Sequence, residues 1–158
     1  MIRAALFALS MTTALVAPAY ASGLTAEQNV LKVVETVDES GDTVKSLIPA
    51  DKVAPGDTVV YALQYANGSE EPAENVKLTM PVPGEVSYLE NSATTEGVSV
   101  SFSVDGGQNF ASRGDLKVSV DGQPREALST DITHVRWVFE EPIAGGATGE
   151  VSFRAVLD

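Results

Sequence analysis

The chain has 158 residues, 44% of them hydrophobic, with 10 basic and 22 acidic side chains and a formal charge of −12. That charge excludes a nucleic-acid binder, which needs a basic face, and disfavours adsorption to anionic lipid. The absence of cysteine excludes a disulfide framework, a thiol nucleophile and a lipoprotein attachment site.

Residues 1–21 read as a secretory signal peptide: Arg3, an apolar run from Ala4 to Ala17, Pro18, and the small-residue cleavage site Ala19-Tyr20-Ala21. The run is interrupted by Ser10, Thr12 and Thr13 and falls short of the roughly 18 residues of a membrane span. The expected mature chain starts at Ser22 and forms one domain, with no integral membrane span after cleavage. Its expected address is the periplasm, or secretion to the medium or cell surface.

The mature chain reads as all-β. Segments rich in Val, Thr, Tyr and Phe alternate with clusters of Gly, Pro, Asn and Asp, and no helical period persists. Leu24 to Val37 has few breakers, and its second part, Asn29 to Val37, is nearly alternating. Asp38-Glu39-Ser40-Gly41-Asp42 is a turn, and Thr43 to Ile48 returns as a short strand. Pro49 and Pro55-Gly56-Asp57 precede Thr58 to Ala66, where Val59, Tyr61, Leu63 and Tyr65 share one face. Asn67 to Pro72 is a loop. Strands follow over Asn75 to Met80, Val86 to Glu90, Val98 to Val104, Leu116 to Val120, Ile132 to Glu140 and Glu150 to Leu157. Eight or nine short strands at roughly ten-residue spacing predict an immunoglobulin-like β-sandwich. Residues 22–52 form an N-terminal strand or hairpin extension, and residues 53–158 the main domain.

Few motifs suggest chemistry. Ser103-Val104-Asp105-Gly106-Gly107-Gln108-Asn109-Phe110 resembles the Asp-box hairpin, Ser-x-Asp-x-Gly-x-Thr-Trp, and departs from it at Asn109 and Phe110. In that motif the carboxylate accepts turn N–H groups and the aromatic packs beneath, so Asp105, Gly106 and Gly107 are expected to organise a turn and bind nothing. His134 is the sole histidine. A triad would have to pair it with Asp131, but its mid-strand position beside Arg136 points to a sheet-surface role. Glu70-Glu71 and Glu140-Glu141 are adjacent in extended chain and point to opposite sides, so they do not converge as an acid/base pair. Asp38 to Asp42 offers hard oxygen ligands without the EF-hand spacing. Asn67-Gly68-Ser69 fits a glycosylation sequon but also suits a turn. The aromatics fall mostly at core positions, with Trp137 expected between two sheets and Tyr88 and Phe110 less firmly placed. No catalytic residue, cofactor or metal site is expected. The residues expected to shape the fold are Pro55, Gly56, Asp57, Asn67, Asp105, Gly106, Gly107, Trp137 and Phe153.

Val53-Ala54-Pro55-Gly56-Asp57-Thr58-Val59-Val60-Tyr61, Tyr65-Ala66-Asn67-Gly68 and Pro72-Ala73-Glu74-Asn75-Val76 resemble the conserved repeat domain family, known as domain of unknown function eleven. Pro81-Val82-Pro83-Gly84, Phe102 to Gly107, Thr133 to Trp137, Gly145-Gly146-Ala147 and Val151 to Ala155 continue the likeness, which runs from Val53 to Leu157 and is closest to single-domain exported Gram-negative members. The resemblance implies an immunoglobulin-like envelope or surface module and carries no shared catalytic residues. It favours a non-catalytic module that binds a partner or contributes to a surface assembly. A carbohydrate-binding module, which needs an exposed aromatic row, and a small hydrolase with cross-strand carboxylates are the alternatives. Leu24 to Val37 has two possible homes: the first strand of its own sandwich, which costs less loop-closure entropy, or a neighbour's open edge.

Overall fold

The computed structural model describes residues 23–93 and 95–158; the signal-peptide reading lies outside them. Ten strands follow one another: β1 (Leu24–Val37), β2 (Thr43–Pro49), β3 (Thr58–Asn67), β4 (Lys77–Pro81), β5 (Val86–Tyr88), β6 (Val98–Ser103), β7 (Lys117–Val120), β8 (Gln123–Glu126), β9 (His134–Phe139) and β10 (Thr148–Leu157). They form a five-stranded sheet in the order β2-β1-β3-β10-β5, a three-stranded sheet β4-β9-β6, and the hairpin β7-β8. Every pairing is antiparallel. Among the described residues no helix is long and apolar enough to cross a membrane.

The two larger sheets close over one apolar core, and side-chain alternation explains it. Val59 and Tyr61 of β3, Val151, Phe153 and Ala155 of β10, Leu78 and Met80 of β4, and Val135 and Trp137 of β9 all point inward and are buried. An aromatic stack spans the gap between sheets. Phe153 lies between Tyr61, at 5.0 Å and nearly parallel, and Trp137, at 6.4 Å. Trp137 is fully buried, and its indole N–H donates to the Ala93 carbonyl at 3.0 Å, so no polar group is stranded.

Two features depart from simple alternation. Val60 and Ala62, on the outer face of β3, are buried as well, flanked by Leu31 and Asn29 of β1 and by Arg154 and Ser152 of β10. The strand β8, absent from the sequence reading, has no apolar alternation and contains Pro124. It forms because Asp121 (φ 51°) and Gly122 (φ 78°) make a two-residue turn with two positive φ angles, whose twist matches a hairpin.

The ladder between β1 and β3 runs from Leu24–Asn67 to Lys32–Val59. Beyond Lys32, β1 pairs only with β2, over Val33–Leu47 to Val37–Thr43. The last five residues of β1 and the first five of β2 therefore form a two-stranded arm that extends past the start of β3.

Candidate functional site

The Asp105 turn satisfies itself. Asp105 Oδ1 accepts from the Ser103 hydroxyl (2.7 Å) and from the N–H groups of Gln108 (3.1 Å) and Asn109 (2.9 Å), while Oδ2 accepts from the Asn109 amide (2.7 Å). The Asn109 N–H and the Ser103 hydroxyl hold the carboxyl far below its usual range. Gly106 and Gly107 both have positive φ, and a side chain on Gly107 would press on the His134 ring at 3.3 Å. Phe110 lies half-buried under the Arg136 guanidinium, 3.4 Å from the ring centroid to Cζ.

The candidate acid and base groups are dispersed. His134 Nδ1 contacts the Thr133 hydroxyl at 3.2 Å. Asp131 is bound instead to Arg125, at 2.6 and 3.0 Å, and to the Leu128 N–H. Glu140 accepts from Ser99. Asp38 Oδ1 caps its own turn through the N–H groups of Ser40 and Asp42. Among the described residues no group of three or more His, Cys, Asp or Glu side chains is placed to hold a metal ion.

Asn67 is a buried brace. Its amide nitrogen donates to the carbonyls of Glu71 (2.8 Å), Ile143 (3.0 Å) and Ala144 (3.3 Å), and its carbonyl accepts from the N–H and hydroxyl of Ser69. The side chain is 1% exposed, so it is spent on the loop and out of reach of a modifying enzyme.

The Pro55-Gly56-Asp57 turn joins three parts of the chain. Gly56 (φ 88°) and Asp57 exchange backbone bonds with Leu157 of β10. Asp57 Oδ2 accepts from the Ala54 N–H at 2.7 Å and from Lys32 Nζ of β1 at 2.5 Å. The Lys32 ammonium, with the Ala54 N–H behind it, holds the Asp57 carboxyl below the usual carboxylate range. The ion pair sits where the arm leaves the sheet, between the last β1–β3 pair and the turn that starts β3.

Among the described residues, the arm carries exposed large apolar side chains on both of its faces. Val37 (71% exposed), Val44, Leu47 (54%) and Ile48 all stand open, and every residue of β2 is exposed. Lys45 Nζ lies back on Glu35 at 2.8 Å. Sequence reading offered Leu24 to Val37 for a neighbour's edge but did not single out Val44, Leu47 or Ile48. The available signal was that Thr43 to Pro49 carries apolar groups on both faces, Val44 and Ile48 on one and Leu47 and Pro49 on the other, so the strand cannot hide both.

Compared with models of known protein families, with curated protein sequences and with solved structures, the chain matches none of them.

Proposed function

We propose that the chain is a non-catalytic, exported β-sandwich module of the bacterial envelope or cell surface, immunoglobulin-like and of the conserved repeat type, that works by contact through the β1–β2 arm. One observation carries this reading: Val37, Val44, Leu47 and Ile48 stand exposed on the β1–β2 arm. Exposed apolar groups gathered on one element of an otherwise acidic chain suit a contact site. The polar groups that could have served chemistry, Asp105, Asp131 and Asn67, are each consumed by bonds that hold a turn or loop. Most aromatic rings face the core, which leaves Phe110 without an exposed partner row for a sugar.

The test has two parts. Mass spectrometry of the exported fraction should find the chain beginning at Ser22. The purified mature chain should sediment with isolated envelopes of the producing cells, and Leu47→Lys should release it. Sedimentation unchanged by Leu47→Lys would contradict the reading.

A further inference from the structure

We infer that the partner of the arm is a second copy of this chain, joined through β2 to β2 in an antiparallel, two-fold ladder with Ser46 on the axis. The inference rests on the contact role proposed above and names its partner.

The backbone of β2 fixes which groups are available. Ala50 N–H donates to the Val30 carbonyl, and Asp38 N–H to the Asp42 carbonyl. In the register that pairs Leu31 with Pro49, these two bonds turn the N–H and C=O groups of Val44, Ser46 and Ile48 toward β1. Those of Thr43, Lys45 and Leu47 therefore point away from the sheet, as does the position of Pro49, which has no N–H to leave unpaired. The arm offers a second open edge on β1, at Val33, Glu35 and Val37. Self-pairing there centred on Glu35 would set Glu35 against Glu35, and the Pro55-Gly56-Asp57 turn closes one end. A two-stranded ribbon is marginal in water and gains from additional strands.

Charge and side-chain pattern select the register. Centring on Lys45 opposes two ammonium groups, which is unfavourable. Centring on Leu47 pairs only Lys45 to Pro49 and leaves Thr43 and Val44 outside the ladder. Centring on Ser46 pairs all seven residues of β2, places Lys45 opposite Leu47, and sets Val44 against Ile48 twice on one face. On that face Val34 lies beside Ser46 in each copy. The acidic tips, Asp38, Glu39 and Asp42, then lie at opposite ends of the ladder. The two Asp42 residues are eight positions apart, about 26 Å at ~3.3 Å per residue, beyond the ~8–10 Å over which salt leaves exposed charges unscreened. A strongly acidic chain can thus meet itself at this edge.

The chain has no cysteine, so a single engineered one reports position without ambiguity. Ser46→Cys would face its own copy in a non-hydrogen-bonded pair with Cα atoms about 4.5 Å apart, within disulfide reach. Light scattering of the mature chain should show a mass rising with concentration from one chain to two. Ser46→Cys should oxidise to a covalent dimer at least about tenfold faster than Ser119→Cys, an exposed site on β7. Leu47→Lys, which faces Lys45 of the other copy, should restore a monomer with an unchanged circular dichroism spectrum. A wild-type chain that stays monomeric to hundreds of micromolar leaves the edge to a strand of another protein and overturns the inference. So does Ser46→Cys oxidising no faster than Ser119→Cys, or a dimer indifferent to Leu47→Lys. A monomer whose envelope binding still falls with Leu47→Lys would remove the self-pairing alone and leave the contact role intact.

Discussion

Lys32 and Asp57 form an ion pair, Nζ to Oδ2 at 2.5 Å, that fastens the first strand to the turn opening the third. Both side chains are about three-quarters covered, and Asp57 keeps a backbone N–H bond from Ala54 on the same oxygen. The pair helps hold the first strand to its own sandwich. Nine residues of β1 pair with β3, and Lys32 closes the end of that ladder. Lys32 is thus engaged inside its own fold and is not free to repel a passing edge.

Asp57→Asn should loosen the base of the arm. The neutral side chain keeps an acceptor for Ala54 N–H and loses the attraction to Lys32. Thermal melts should show a lower midpoint near neutral pH, and limited proteolysis should cut first within residues 33–56. Lys32→Met, which keeps the aliphatic stem, should give the same early cleavage.

Acid should act through four carboxyls. Lys32 holds Asp57 below its usual range, Arg113 does so for Glu90, the Asn109 N–H and the Ser103 hydroxyl for Asp105, and Arg125 for Asp131. A carboxyl whose folded pKa is depressed binds fewer protons folded than unfolded. Its contribution is complete above the unfolded range of about pH 4–4.5 and is lost as pH falls through the folded values. Stability should be flat with respect to these groups from pH 5 to 7 and fall steadily below pH 4. Asp105→Asn should shallow that acid limb, measured by denaturant midpoints across pH.

Trp137→Ala should cost about 3–5 kcal/mol, because it opens a cavity beside Phe153 and strands the Ala93 carbonyl. The native emission of Trp137 should be blue-shifted and poorly quenched by iodide. A water-like emission maximum would contradict its place between the sheets.

Asn67→Ala should cost about 1–3 kcal/mol by removing the amide that the Glu71, Ile143 and Ala144 carbonyls share, with only Ser69 and the Ala73 N–H left to serve Glu71 and Ile143. Asn67→Asp should be worse at neutral pH, since it turns a carboxylate oxygen toward those carbonyls. Protonation restores a donor, so that variant alone should gain stability relative to wild type as pH falls from 7 to 5. Urea unfolding at the two pH values separates the cases.

How much was legible in the sequence depends on what each residue must satisfy. Strands that bury one face, such as Val135–Trp137 and Val151–Phe153–Ala155, announce themselves because a period of two is the only pattern that reaches the core. The Asp105 turn was legible because one short segment supplies donors and acceptor together. Gln123–Glu126 was not, since its pairing follows from turn geometry and not from burial. Phe110 against Arg136 and Lys32 against Asp57 were hidden because each joins segments 25 or 26 residues apart, and one sequence does not show which distant charges or rings meet. The arm was half legible: its strands could be read, but its exposure depends on β3 starting only at Thr58.

Amide hydrogen exchange of the chain from Ser22 onward, at low and high protein concentration, tests the account most directly. The N–H groups of Thr25, Glu27, Asn29 and Leu31 face β3, so they should be protected to the level of β3 itself at every concentration. Those of Lys45 and Leu47 should exchange freely when dilute and gain protection when concentrated, as the β2 edge is covered. Rapid exchange along Glu27 to Leu31 while β3 remains protected would contradict the placement of β1. Exchange at Lys45 and Leu47 that ignores concentration would contradict the role given to the arm's edge.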